Sequence, residues 1–146
     1  MNKLKFTKIS AIGFVVLLVI LHFINTSVNP IWQPISEYAL GTAGWLMKVA
    51  FILLGVSLLS LGLYLIQKLP NTGSKIGGVL LILASLGNFL AGVFNTDPIS
   101  TLPEHMTVSG QIHNAAAGLL GFMILATGFI TYQFRKQEHL KPYKNN

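Results

Sequence analysis

Four apolar runs, at residues 9–28, 43–66, 76–95 and 112–134, dominate the chain. A helix needs about 20 mostly apolar residues to cross the hydrocarbon core of a bilayer, and each run is long enough. None alternates like a membrane β-strand, and only helices or closed barrels satisfy their backbone inside lipid. The chain is therefore predicted to be an all-α polytopic membrane protein, a four-transmembrane-helix bundle forming one domain over residues 1–146. Its composition points the same way. Only 10% of its 146 residues are charged, against roughly a quarter in soluble domains. Cysteine is absent, which excludes disulfides, iron–sulfur ligation and thiol catalysis and leaves any metal to His, Asp or Glu.

The net charge of +6 does not point to nucleic acid, because the basic residues flank the apolar runs instead of forming one patch. Their expected partner is the lipid bilayer, and their positions predict topology. Lys3, Lys5 and Lys8 precede the first run, Lys68 and Lys75 lie between the second and third, and Arg135, Lys136, Lys141 and Lys144 follow the fourth. The other two loops hold no Lys or Arg. In a cell membrane this places both termini and the middle loop in the cytoplasm and the two remaining loops outside. The first run is too long for a signal-peptide core and lacks a small-x-small cleavage site, so it reads as a retained signal anchor.

The two outer loops carry most of the chemistry-bearing residues. In VNPIWQPISEYALG, Pro34 is predicted to open a short helical turn that Gly41 ends, projecting Ser36, Glu37 or Tyr38 toward the mouth of the bundle. In FNTDPISTLPEHMTVSGQIHN, Asp97 before Pro98 reads as an N-cap, and Thr101 to Glu104 as a capping box. His105 and His113 complete that stretch. The echo of Asn29-Pro30-Ile31 in Asp97-Pro98-Ile99 suggests a duplicated hairpin.

Polar residues inside the spans are costly in lipid, and both helix–helix glue and a cavity lining account for them. His22 lies about 9 Å from the outer end of its run by helical rise and Asn88 reaches a similar depth, so they are expected to hydrogen-bond across the bundle. His22, Asn25, Thr26 and Asn29 form one polar stripe, and Ser85, Asn88, Gly92 and Asn95 another. Lys48 is expected to pair with Asp97 or Glu37. Gly87-x-x-x-Ala91 and Ala117-x-x-x-Gly121 are small-residue patterns that let helices approach closely.

HFINTSVNPIWQPISEYALGTAGWL and FNTDPISTLPEHMTVSGQIHNAAAG resemble the two signature hairpins of a prokaryotic membrane family known as domain of unknown function 998. The resemblance runs from His22 to Gly118 and rests on Pro34, Ser36, Tyr38, Gly41 and Trp45 in the first hairpin and on Asp97, Gly110 and His113 in the second. It implies a multipass prokaryotic membrane protein and supplies no reaction. In that family further helices usually follow the second hairpin.

An outward-facing polar pocket is expected, lined by His22, Tyr38, Lys48 and Asn88 together with Glu37, Asp97 and His113. Three functions fit it. The first is a structural or partner-binding bundle. The second is a metal-dependent hydrolase acting at the outer face on a lipid-like or amide substrate. Its catalytic set would be Glu37, Asp97 and His113, with a divalent metal on Asp97, His105 and His113. The third is small-molecule binding or transport as a homo-oligomer or with another membrane protein. Haem on His22 and His113 fits poorly, because their depths differ by about 9 Å of helix rise.

Overall fold

The computed structural model of the chain describes residues 3–69 and 71–136, so Lys141 and Lys144 lie outside the described residues. Among the described residues there are no strands. Five helices follow one another: α1 (Lys3–Ile24), α2 (Trp45–Lys68), α3 (Thr72–Val93), α4 (Val108–Gly118) and α5 (Gly121–Lys136). α1, α2, α3 and the α4–α5 pair are each long and apolar enough to cross a membrane. The predicted all-α, four-span membrane fold is the observed one.

The boundaries differ for local reasons. α1 begins at Lys3 instead of residue 9, since a helix carries its lysines into water without breaking its hydrogen-bond ladder. It stops at Ile24 instead of residue 28, where the chain turns through the Val28 N–H to Asn25 carbonyl bond (3.2 Å) and the Gln33 N–H to Asn29 carbonyl bond (2.9 Å). The fourth span starts earlier than predicted, at Val108, because Thr107 caps it. It is also interrupted. Leu119 and Leu120 donate to the Ala116 and Ala117 carbonyls, and Phe122 and Met123 to the Leu119 and Leu120 carbonyls, at 2.9–3.1 Å. The Gly121 N–H and the Gly118 carbonyl take no part in these bridging bonds.

The spans lie in a row. α1 packs on α2, α2 on α3, and α3 on both α4 and α5. α3 is accordingly the most enclosed, with 50% of its span buried against 11% for the first and fourth spans. Glycine allows the close approach on both of its sides. A Cβ on Gly62 would lie 2.6 Å from the Gly78 carbonyl oxygen, and one on Gly78 would lie 2.8 Å from that of Gly62. On the opposite side, a Cβ on Gly87 would lie 2.5 Å from the Ala116 carbonyl oxygen. Leu21, Tyr38, Met47, Phe51 and Ala91 form one core cluster, and Leu58, Leu65, Leu81, Ala84 and Ala126 a second.

The two ends of the row differ in charge. Lys3 Nζ donates to Gln67 Oε1, joining the start of α1 to the end of α2, and the α2–α3 turn carries Lys68 and Lys75 at that end. The connections at 25–44 and 94–107 meet at the other end and hold Glu37, Asp97 and Glu104 but no Lys or Arg.

Candidate functional site

The connection from α1 to α2 is organised around a buried turn. Pro34 is extended (φ −67°, ψ 147°) and leads into a 3-10 helix, Ile35–Leu40, with Gly41 at its end, as the sequence predicted. Ser36, Glu37 and Tyr38 are all buried. Asn25 Nδ2 donates to the Tyr38 carbonyl at 3.1 Å. Gly41 is required beside it, because a Cβ there would lie 2.9 Å from Asn25 Cγ. The Tyr38 hydroxyl hydrogen-bonds His22 Nδ1 at 3.0 Å. Glu37 reaches beyond its own loop: one oxygen accepts from Gln33 Nε2 and the other from the Ile99 N–H, both at 2.5 Å.

Asp97 anchors the second connection, though not as an N-cap of its own turn. Its Oδ2 accepts the Thr107 N–H at 2.7 Å and its Oδ1 the Thr107 hydroxyl at 2.9 Å. Thr107 Oγ1 in turn accepts the Gly110 N–H at 3.0 Å, which caps α4. Asp97 therefore braces the cap of a helix that starts eleven positions later. Gly110 fits because it has no side chain: a Cβ there would lie 2.0 Å from Asp97 Oδ2. The expected capping box at Thr101 to Glu104 does not form. Leu102 precedes the 3-10 turn Pro103–His105 and gives no side-chain cap. Glu104 and His105 point to the exposed surface. The Asn-Pro-Ile echo also stays in the sequence, since Asn29 Oδ1 accepts the Ile31 N–H whereas the Ile99 N–H goes to Glu37.

His113 lies in α4, 3% exposed, with its ring edge-on to Phe51 at 5.9 Å. Its Nδ1 donates to the Phe94 carbonyl at 2.9 Å. That bond fixes a proton on Nδ1, so that in the neutral ring Nε2 is the lone-pair acceptor. His113 lines a cavity of about 270 Å³ together with Ser36, Asp97, Thr101, Met106 and Asn114. Neither His113 Nε2 nor Ser36 Oγ has a hydrogen-bond partner among the described residues, yet neither atom is sealed in. The sole sealed and unbonded side-chain polar atom among those residues is Asn88 Oδ1. Both atoms therefore have open space before them.

The residues expected to share one pocket are distributed differently. His22 and Tyr38 line a separate groove of about 420 Å³ with Leu18, Val19, Phe23 and Ile35. Glu37 lies behind the polar cavity as a fastener, and Lys48 and Asn88 line neither space. The expected His22–Asn88 bond does not form, because α1 packs chiefly on α2, and His22 bonds Tyr38 instead. Asn88 is fully buried and turns its Nδ2 to the Ala84 carbonyl of its own helix, 3.0 Å away. The α1 stripe breaks up because the helix ends before Asn25, whereas Ser85, Asn88 and Gly92 stay together on the buried side of α3. Among the described residues Lys48 makes no ion pair with Asp97 or Glu37; the Glu37 oxygens go to Gln33 and Ile99, and Lys48 does not line the cavity that Asp97 faces. Asp97, His105 and His113 do not form a three-ligand group, and no cluster of three His, Asp or Glu is placed to hold a metal among the described residues. His22 and His113 line different spaces, so no single haem pocket joins them.

Ser36, Thr107 and Asn114 carry more of the site than the sequence suggested. Thr107 had a signal, since a threonine three positions before a glycine and at the head of an apolar run is an N-cap pattern even without an acid to complete a box.

These features define a multipass helical membrane protein in which two same-end loops are tied together beside a buried histidine. The chain belongs to the family described as protein of unknown function, DUF998, which it matches over residues 9–143. Comparison with curated proteins and with solved structures finds no match.

Proposed function

We propose that this is a small-ligand binding protein of the cell membrane, with both termini in the cytoplasm and the cavity at His113 opening on the outer face. The observation that carries the reading is the free Nε2 of His113, a 3% exposed side chain whose other nitrogen is committed to the Phe94 carbonyl. That nitrogen opens on the cavity without a protein partner, so a ligand entering there can take its hydrogen bond. The orientation rests on the charge contrast between the two ends. Binding is favoured over metal-dependent hydrolysis because both oxygens of Glu37, the expected general base, already hold the loops together.

The test is a thermal-stability screen of the purified protein against a chemically mixed library of small molecules. Saturable stabilisation of the wild type, lost in His113→Ala, is the expected result. A wild type that no compound stabilises overturns the reading.

A second reading concerns partners, and the interruption of the fourth span favours it. The 11 residues of α4 bring Gly118 about 16 Å from the start of the span, near the middle of a bilayer core of about 30 Å. Gly118 and Gly121 are exposed, and a methyl group on either would meet no atom within 4 Å. Unpaired backbone is not left facing lipid at that depth. A second copy meeting the same face would offer each free Gly121 N–H the Gly118 carbonyl of its partner, an arrangement that two-fold symmetry repeats.

A further inference from the structure

Resting on the binding reading above, we infer that the cavity at His113 takes a primary ammonium group carried on a short apolar body. Apart from the Asn114 amide, which can donate as well as accept, the polar side chains lining this space are acceptors or hydroxyls. In the neutral ring His113 Nε2 offers a lone pair, because the Phe94 carbonyl holds the proton on Nδ1. Asp97 receives two bonds at Oδ2 and one at Oδ1, all from Thr107, so its carboxylate keeps an unused lone pair. Ser36 Oγ and Thr101 Oγ1 have no partner among the described residues and can accept as readily as donate. A ligand rich in N–H donors completes most of this set, whereas one rich in acceptors finds the Asn114 amide and the hydroxyls as its side-chain donors.

Charge selects in the same direction. No Lys or Arg lines the cavity, and neither connection at this end contains one, whereas Glu37, Asp97 and Glu104 all lie here. Lys48, the cation nearest along the chain, lines neither space. The N-terminus of α4 contributes about half a positive charge beside Asp97, which reduces the negative potential without reversing it. An anionic ligand would meet the Asp97 carboxylate with no counter-charge, and an ammonium ion would be held by it. Size and walls set the remainder of the ligand. About 270 Å³ lies just below the usual range for ligand pockets, which begins near 300 Å³. Pro34, Pro98, Met106 and Ala117 supply apolar sides. A primary amine with two or three carbons fits this description, whether it arrives as a free amine or as the ethanolamine headgroup of a membrane lipid.

The test uses the full chain in nanodiscs and titrates propylamine, propanol, propionate and tetramethylammonium separately by calorimetry. Propylamine is expected to bind saturably and the other three at least tenfold more weakly, since hydrogen bonds to a charged group account for about that factor or more. Ser36→Ala removes a hydroxyl without a protein partner and should leave folding intact while weakening propylamine roughly threefold to tenfold. His113→Gln should weaken it at least as much. In nanodiscs of phosphatidylcholine, competition by added phosphatidylethanolamine identifies the headgroup as the source, and its failure to compete identifies a soluble amine; both support the inference. Tetramethylammonium binding as well as propylamine overturns it, because that ion has no N–H to donate. Binding of propionate or propanol with no response to propylamine overturns the amine assignment and leaves the binding reading standing. Binding of a divalent metal alone does the same. No response to any probe, together with a failed library screen, removes both.

Discussion

The Ile99 N–H donates to the Glu37 carboxylate at 2.5 Å, joining two residues 62 positions apart in sequence. Glu37 is 5% exposed, and Gln33 Nε2 occupies its second oxygen. One buried side chain thus ties the α1–α2 connection to the α3–α4 connection and fixes the wall of the cavity between them. Glu37→Ala would strand the Ile99 amide and is expected to cost about 1–3 kcal/mol. Glu37→Gln keeps an acceptor for Ile99 and should cost less. Thermal unfolding in detergent measures both, and an unchanged midpoint for Glu37→Ala would show that the loops are held by something else.

Asp97 and Gly110 give a sharper case. A methyl group on Gly110 would fall 2.0 Å from Asp97 Oδ2, so Gly110→Ala must displace the carboxylate that braces Thr107. The expected loss is about 1–3 kcal/mol, the usual scale for overpacking. Hydrogen exchange should quicken in the first turn of α4. Exchange as slow as in the wild type would mean that Asp97 does not stabilise this cap.

The site was only partly legible in the sequence, and the reason is geometric. Spacing places a residue along a helix but does not say which neighbour its helix meets. His22 and Asn88 are expected from spacing to face each other, yet α2 lies between their helices. The turn from Pro34 to Gly41 was readable because proline and glycine act locally. The role of Asp97 was not, because its partner Thr107 is brought to it by the path of the intervening loop. The spans themselves were readable from apolar length alone. The break after Gly118 was hidden, since the run AAAGLLG is compatible with an unbroken helix.

Tyr38 separates two contributions that act at one residue. Tyr38→Phe removes only the bond between its hydroxyl and His22 Nδ1, 3.0 Å long, and should cost about 0.6 kcal/mol, the mean for such bonds in a membrane protein. Tyr38→Ala also empties the core cluster containing Leu21, Met47 and Phe51, and about 3–5 kcal/mol is expected by analogy with other aromatic truncations. Comparing their unfolding midpoints tests the division. Equal losses would mean that the hydroxyl, and not the ring, carries the stability.

The glycines between α2 and α3 should be far less tolerant than the one at Gly13. A Cβ on Gly62 meets the rigid backbone of Gly78 at 2.6 Å, whereas one on Gly13 meets only the terminal methyl of Leu53 at 2.9 Å, which can rotate aside. Gly62→Ala is expected to destabilise by about 1–3 kcal/mol and Gly13→Ala by less than half of that. Thermal midpoints in one detergent decide it, and equal losses would place the α2–α3 contact elsewhere.

The exposed face at the break in the fourth span can be tested cleanly because the chain has no cysteine. A single cysteine at Gly121 would sit where the backbone turns away from regular helix, while one at Ile12, 63% exposed on α1, would sit on an uninterrupted apolar face. If a second copy covers the break, oxidation in dilute proteoliposomes should convert most of Gly121→Cys to disulfide-linked dimer and little of Ile12→Cys. Dilution matters, because chance collisions fall with lipid content and a specific pair persists. Equal cross-linking at both positions would mean random encounter, and none at Gly121 would mean that another part of the membrane protein's surroundings satisfies the Gly118 carbonyl and the Gly121 N–H.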